Sequence, residues 1–273
     1  MLIQHPKHFF PGYEAIVERK GPNNDVLMDF GVLTLAAGEA WESGSADEKA
    51  VLLVSGTAEL SWQPAKSPGA VQQARVSRQS LLDQSPTVLH LPDGDQVRVV
   101  AQEGGAEFLV TRTDNPRRFA ARFYRPEDCR SEARGKGTMQ ETSTRIVRTV
   151  FDDANAPEAN LVIGEVVTAP GKWSSYPPHH HPQPEIYHYR FLPKQGFGLT
   201  AIGDETHCVR DNDTVIIRDT QDHPQASAPG YAMWYVWIIR HLDGNRYGIP
   251  TFTPEHTWVT EPGAEFWAPT STR

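Results

Sequence analysis

A dense run of histidines lies in the second half of the chain, within Tyr176-Pro-Pro-His-His-His-Pro-Gln-Pro-Glu185. In an extended chain the side chains of His179 and His181 point to the same face, because side chains alternate with a period of two residues. His180 points to the opposite face, and we interpret it as a surface or packing histidine. The spacing therefore predicts that two imidazoles converge on one ion.

Two more residues can complete such a site. Glu185 opens the next apolar stretch and offers a carboxylate, and His223 follows a later apolar stretch and offers a third imidazole. Three neutral imidazoles and one carboxylate suit a borderline divalent ion, with zinc or manganese favoured and iron, nickel or cobalt as alternatives. The sequence thus predicts a metal held by His179, His181, Glu185 and His223. The alternative interpretation is a solvated, proline-rich histidine loop.

Strands must position these residues, because the apolar stretches are short, are rich in Val, Ile, Leu, Thr and aromatics, and alternate with turn signals. The chain carries 21 glycines and 22 prolines, and no long segment keeps a helical period. We predict an all-β protein of the sandwich or barrel type. The predicted strands are 26–36, 50–62, 87–91, 96–101, 106–112, 145–151, 161–168, 185–192, 214–218 and 233–240.

The two halves of the chain resemble each other. The stretch from Gly31 to Trp41 aligns with that from Gly164 to Trp173, and Thr87-Val-Leu-His-Leu parallels Thr214-Val-Ile-Ile-Arg. A tandem duplication is the simplest explanation, and it predicts domains at 1–135 and 136–273. The first half has Glu42-Ser-Gly-Ser in place of the histidine run and Gln96 in place of His223, so we expect one metal ion per chain.

Composition excludes several classes of partner. Lys and Arg number 26 against 34 Asp and Glu, a formal charge of -8, which argues against binding to nucleic acid or to an anionic membrane. No apolar run is long enough for a membrane helix, and the N-terminal residues lack a signal-peptide core. The two cysteines, Cys129 and Cys208, lie far apart and predict neither a disulfide framework nor a thiolate zinc site. We expect a cytoplasmic protein.

His-x-His, then Glu, then a distant His resembles the two boxes of the cupin superfamily. More narrowly, Gly171-Lys-Trp-Ser-Ser-Tyr-Pro-Pro-His, Glu185-Ile-Tyr-His-Tyr-Arg, Pro193-Lys-Gln-Gly-Phe-Gly and His223-Pro-Gln-Ala-Ser-Ala-Pro-Gly-Tyr resemble the 5-deoxy-glucuronate isomerase family of myo-inositol catabolism. In the first half, Leu53-Val-Ser-Gly-Thr-Ala adds a weaker similarity. The resemblance implies a bicupin, two tandem cupin β-barrels of the double-stranded β-helix or jelly-roll type. It also implies a metal-dependent aldose–ketose isomerase that converts 5-deoxy-glucuronate to 5-dehydro-2-deoxy-gluconate, with the four residues above as metal ligands.

An aldose–ketose isomerase moves a proton between the carbonyl carbon and its neighbour through an enediolate. The proton carrier needs a suitable pKa and hydrogen-bond reach of the substrate. Glu185 is one candidate, and Tyr187 and Tyr189 share its face by alternation. A hydroxide held by the metal is a further candidate.

The anionic deoxyuronic acid needs a local cation in an acidic protein. Arg190 is the first candidate because its fork can bind a carboxylate through two hydrogen bonds, and Lys194 is the second. Alternation turns Arg190 away from the face of Glu185, so a bulge before Pro193 would be required. Tyr235 and Trp237 are predicted to line the substrate pocket. A separate expectation is that the protein can form a homo-oligomer.

Two other functions fit the same residues. A cupin dioxygenase can use this ligand set with iron, nickel or copper, and metal identity would distinguish it. A regulatory or sugar-binding bicupin would bind metal and ligand without turnover.

Overall fold

β-Strands dominate the computed structural model of the chain, which describes residues 1–5, 8–67, 69–218 and 220–269. The all-β prediction is confirmed. The short helical elements are all of the 3-10 type and span Asn24–Val26, Pro126–Asp128, Met139–Glu141 and Pro254–Thr260. Within the described residues no helix combines the length and the apolar character needed to cross a membrane.

The first half of the chain builds an eight-stranded antiparallel sheet. The strands of this half are, in chain order, β1 (Leu2–Ile3), β2 (Gly12–Val17), β3 (Asp29–Leu35), β4 (Ala40–Ser43), β5 (Glu48–Gln63), β6 (Gln72–Arg78), β7 (Val88–Leu91), β8 (Gln96–Thr113), β9 (Arg122–Tyr124) and β10 (Arg130–Arg134). The sheet contains the eight strands from β2 to β9; its path is β2-β3-β8-β5-β7-β9, with β4 paired to β8 and β6 paired to β5.

The second half builds sheets of seven, four and two strands, ordered β1-β18-β15-β20-β12-β11-β10, β13-β19-β16-β17 and β14-β21. β1 and β10 pair in this half although both precede the predicted boundary at residue 135, and the domain limits stay a prediction. The strands are β11 (Arg145–Phe151), β12 (Leu161–Thr168), β13 (Trp173–Ser174), β14 (His179–His180), β15 (Glu185–Leu192), β16 (Phe197–Ile202), β17 (Glu205–Arg210), β18 (Thr214–Ile217), β19 (Gln225–Ser227), β20 (Ala232–Arg240) and β21 (Thr251–Phe252).

One predicted break between strands is absent. The predicted strands 96–101 and 106–112 form the single strand β8, which pairs along most of its length with the equally long β5. The register shifts twice along this pair, between Leu53 and Ser55 and between Gly56 and Ala58. Such bulges bend a strand without ending it, so Gly104 and Gly105, which lie between the two predicted strands and have positive φ, mark a bend in β8 and not its end.

The duplication is visible in the strand register. Gly38 and Gly171 both have positive φ, of 81° and 73°, in the turns after β3 and β12. The Gly38 amide donates to the backbone oxygen of Ala101 in β8 at 2.9 Å, and the Gly171 amide donates to that of Ala228, directly after β19, at 3.3 Å. Continuing this register along β8 brings Gln96 to the place of His223. The sequence repeat is thus a structural repeat.

The core consists of three apolar clusters. One lies inside each half, and the third lies between the halves, where residues of β5 pack with residues of β15, β18 and β20. In this third cluster Ile186, Ile216 and Trp234 come from the strands of the second half and are completely buried. The strand that begins with Glu185 is therefore supported from behind by the other half of the molecule.

A buried ionic network also joins the halves. Nη2 of Arg78 donates to both carboxylate oxygens of Glu165, at 2.7 and 2.9 Å, and Nη1 of Arg148 donates to one of them at 2.7 Å. The Glu165 side chain is fully buried. Because an unpaired buried charge is strongly destabilising, removing one of these three residues would be costly, and the network links Arg78 of the first half to Glu165 and Arg148 of the second.

Candidate metal centre

Three of the four predicted metal ligands converge. Ligand atoms of His181, Glu185 and His223 all lie within 4.8 Å of one another. Nε2 of His181 is 3.2 Å from Oε2 of Glu185, and Nε2 of His223 is 3.4 Å from the same oxygen. The fourth residue, His179, is adjacent, with its ring centroid 4.8 Å from that of His223.

Hydrogen bonds set the orientation of the three histidines. In each, Nδ1 bonds to a backbone carbonyl two residues away, at 3.1 Å for His179, 3.0 Å for His181 and 2.8 Å for His223. A carbonyl oxygen only accepts, so Nδ1 carries the proton and Nε2 keeps its lone pair. Nε2 of His223 is buried and has no hydrogen-bond partner in the part of the chain that the structure describes. The three imidazoles thus present the tautomer that a metal ligand needs.

The charge balance of the cluster calls for a cation. Glu185 is 2% exposed, and among the described residues neither Lys nor Arg forms an ion pair with it. Burial raises the pKa of Glu185, lowers that of His179 to about 4 and lowers that of His223, so these two imidazoles beside the carboxyl group are neutral. A buried carboxylate is stable only when paired, and a divalent ion would pair with it here. The donor set therefore fits the predicted metal.

His180 differs from its two neighbours. It points away from the cluster, as alternation predicts, but it is half-buried, and its Nδ1 bonds to Oδ1 of Asp222 at 2.9 Å. Asp222 directly precedes the ligand His223. His180 is therefore not an isolated surface histidine.

The cluster opens into a cavity of about 470 Å³ whose walls include the predicted residues Tyr187, Tyr235 and Trp237. The Tyr235 hydroxyl is 2.6 Å from Oγ of Ser174, and the Tyr187 hydroxyl is 3.3 Å from Oγ of Ser175. Burial raises the pKa of both tyrosines. Both phenols therefore stay protonated and can donate hydrogen bonds to a ligand.

Three other predicted site residues do not reach this cavity. Tyr189 is completely buried in the apolar cluster of the second half and does not line the cavity. Arg190 and Lys194, which were predicted to bind substrate, both line a different cavity between the two halves and do not line this one. β15 pairs with β20 without a register shift, so no bulge turns Arg190 inward, and its Nη2 donates to Oε1 of Glu107 at 2.7 Å.

Arg145 supplies a cation that the sequence analysis missed. It lines the cavity, is 9% exposed, and donates from Nη1 to the backbone oxygen and Oγ of Ser143, at 2.8 and 2.6 Å. Its Nη2 donates to the backbone oxygen of Tyr176 at 3.2 Å. In the described part of the chain no carboxylate forms an ion pair with it. In the sequence, Arg145 is a charged residue that shares one face of β11 with Val147 and Thr149, which also line the cavity.

The C-terminal segment also contributes to the cavity, and no sequence pattern pointed to it. β21 pairs with β14, so that Phe252 faces His179. Upstream of β21, the ring of Tyr247 lies 4.9 Å from that of His181. The segment from Tyr247 to Phe252 therefore closes one side of the metal centre.

In the first half an ammonium group takes the position that Glu185 has in the second. β5 pairs with β8 as β15 pairs with β20, and matching the interior-facing residues of the two pairs aligns Lys49 with Glu185. Nζ of Lys49 donates to the backbone oxygens of Ser45 and Asp95, at 3.1 and 2.9 Å, and burial lowers its pKa to about 8. A cation of the protein itself occupies this place, which supports the prediction of one metal per chain.

Comparisons with known proteins agree with this architecture. A family model described as the KduI/IolB family matches residues 2–259. The 5-deoxy-glucuronate isomerase of Bacillus licheniformis is 26% identical over 269 residues, which cover 92% of this chain and 94% of that protein. The crystal structure of an IolB-like protein from Salmonella typhimurium has a TM-score of 0.79 at 25% identity and covers 92% and 96% of the two chains.

A more distant structure bears on the fold alone. Oxalate decarboxylase of Lactobacillus farciminis has a TM-score of 0.67 at 11% identity, with 93% of this chain and 88% of that chain covered. The likeness extends through both halves. The bicupin prediction is confirmed.

Proposed function

The chain belongs to the KduI/IolB family, which confirms the resemblance of its motifs, and from this premise we propose that it is a metal-dependent aldose–ketose isomerase. The proposed reaction converts 5-deoxy-glucuronate to 5-dehydro-2-deoxy-gluconate in myo-inositol catabolism. The observation that carries the proposal is the buried cluster of His181, Glu185 and His223 in a cavity that two arginines, the exposed Arg134 and the buried Arg145, also line. Cytoplasmic location and a homo-oligomeric state stay predictions.

The residues of the centre have distinct roles in this proposal. His179, His181, Glu185 and His223 would hold one divalent ion, zinc or manganese, through three Nε2 atoms and a carboxylate oxygen. Such an ion polarises a carbonyl oxygen and stabilises negative charge on the neighbouring oxygen as a Lewis acid. The protein contributes the dry cavity, the fixed tautomers and the hydrogen-bond donors around it.

We assign proton transfer to Glu185. The cavity wall holds one other carboxylate, Asp152, which is bound by Arg130 near the surface. Tyr187 and Tyr235 have raised pKa values and therefore serve as donors to substrate oxygens, not as bases. Oε2 of Glu185 faces the two imidazole nitrogens, which leaves Oε1 to take the proton from C2 of the aldose and return it to C1. The hydroxyl proton of O2 moves to O1 in the same conversion, as the carbonyl passes from C1 to C2.

We assign the carboxylate of the substrate to Arg145. Its charge reaches the ligand cluster, since it contributes to the lowered pKa of His179. It lacks an acidic partner in the described chain, and its guanidinium is oriented by the backbone of Ser143 and Tyr176. An oriented arginine without a carboxylate partner is suited to an anionic ligand.

Metal removal tests the proposed function. Protein stripped by a chelator should lose turnover of 5-deoxy-glucuronate, and reloading with zinc or manganese should restore ketose formation without oxygen consumption. Iron, nickel and cobalt reloads serve for comparison. Oxygen uptake would identify a dioxygenase, and stoichiometric binding of the uronate without ketose formation would identify a binding protein. Either result would contradict the isomerase.

A further inference from the structure

A single carboxylate outside the ligand set joins three segments at the metal centre. Oδ1 of Asp222 lies 2.9 Å from Nδ1 of His180, and Oδ2 accepts a hydrogen bond of 2.5 Å from Oγ1 of Thr253. His180 lies between the ligands His179 and His181, and Asp222 adjoins the ligand His223. Thr253 directly follows β21.

The ligand strand has little other support. β14 is two residues long, and the strand that it pairs with is β21, itself two residues long. The amide of Thr253 adds one more bond, to the backbone oxygen of Pro178 at 3.0 Å. Asp222 therefore connects this small sheet to the turn that presents His223, and none of Asp222, His180 and Thr253 lines the cavity.

We infer that Asp222 is a positioning residue for the proposed metal centre and that it acts through His180 and Thr253. Its bond to His180 fixes the spacing between the strand of His179 and His181 and the turn of His223. Its bond to Thr253 fixes the C-terminal segment that closes the cavity. The inference rests on the proposed metal centre and does not depend on which reaction the centre catalyses.

The competing explanation is a polar surface contact of no consequence. Side chains of His180 and Asp222 keep 30% and 28% of their exposure, and exposed pairs of this kind contribute little to stability. The two explanations differ in what they predict for metal affinity. Ligand geometry tolerates displacements of only about 0.5 Å, so a purely local contact and a positioning contact have different consequences for the ion.

Metal affinity of the full-length protein is the first readout, with Zn²⁺ alone as the probe in competition with a chromogenic chelator. We expect Asp222→Ala to raise the dissociation constant for Zn²⁺ by about 10-fold or more, as for other residues that orient metal ligands. His180→Ala should give a similar loss. The double variant should lose no more than either single one, because both changes break the same connection.

Two further variants separate the bonds of Asp222. Asp222→Asn keeps an acceptor for His180 and a partner for Thr253, so it should restore most of the Zn²⁺ affinity, and it covers the case in which the alanine variant does not fold. Thr253→Val should leave Zn²⁺ affinity near that of the unmodified protein and should raise KM for the uronate more than it lowers kcat. Asp204→Ala, an exposed aspartate of the same half, is the control.

Wild-type Zn²⁺ affinity in folded Asp222→Ala would overturn the inference, as would losses that add in the double variant. A full loss of metal in His180→Ala, equal to that of a ligand variant, would make His180 a ligand and also overturn it. The chelator competition needs no turnover. If these affinities follow the expected pattern while the protein fails to isomerise the uronate, the proposed function fails and the positioning role stands.

Discussion

Replacing His223 with alanine should remove the bound metal and lower kcat/KM for 5-deoxy-glucuronate by about 10³-fold or more. The Nε2 atom of His223 is buried beside Glu185 and has no hydrogen-bond partner among the described residues, which fits its proposed role as a ligand of the ion. Loss of the ion removes several kcal/mol of charge stabilisation at the reacting oxygens. Metal content by elemental analysis and steady-state kinetics of ketose formation measure the two effects together.

His8→Ala is the matched control, because His8 is exposed and lies outside the cavity. It should leave metal content and kcat/KM unchanged. Near-ultraviolet circular dichroism should show that the His223 variant keeps its tertiary packing. Metal retained at one ion per chain by the His223 variant would contradict the ligand assignment.

Replacing Arg145 with glutamine should lower kcat/KM for the uronate by roughly 10- to 150-fold, the range for loss of a charged hydrogen-bonding partner. Metal content should not change. The corresponding uncharged 5-deoxy-aldose should be affected much less, since it lacks the carboxylate that Arg145 is proposed to hold. Kinetics on both substrates, for the variant and the unmodified protein, give the comparison.

Lys194→Gln provides the control for this experiment, because Lys194 is exposed and lines the other cavity. We expect it to leave both substrates unaffected. An equal loss on both substrates for Arg145→Gln would mean that Arg145 supports the backbone at Ser143 and Tyr176 and does not recognise the carboxylate.

Alternation within strands accounts for most of what the sequence predicted about the site. It placed His179 and His181 on one face and Glu185 and Tyr187 on another segment that meets them. The repeat of Gly38 at Gly171 gave the duplication, because a positive φ is required in both turns. Local patterns of this kind depend only on the backbone period and on turn geometry.

The sequence could not predict contacts between distant segments. The cation was sought on the ligand strand β15, whereas the buried arginine that lines the cavity, Arg145, comes from β11, which is separated from β15 by β12 and β20. The C-terminal wall around Tyr247 shows no strand period, and its position depends on the pairing of β21 with β14. Lys49 was not recognised because the correspondence with Glu185 follows from the pairing of β5 with β8, which the sequence does not display.

In the proposed reaction this metal centre moves a proton between C1 and C2 of a deoxyuronic acid. Incubation of the metal-loaded protein with 5-deoxy-glucuronate in D₂O, followed by NMR, tests this proton transfer. We expect ketose with one solvent deuterium on the new hydroxymethyl carbon, and no ketose from metal-stripped protein. Ketose formed without deuterium would contradict proton transfer with solvent exchange, and an unchanged aldose in the presence of metal would contradict the isomerase itself.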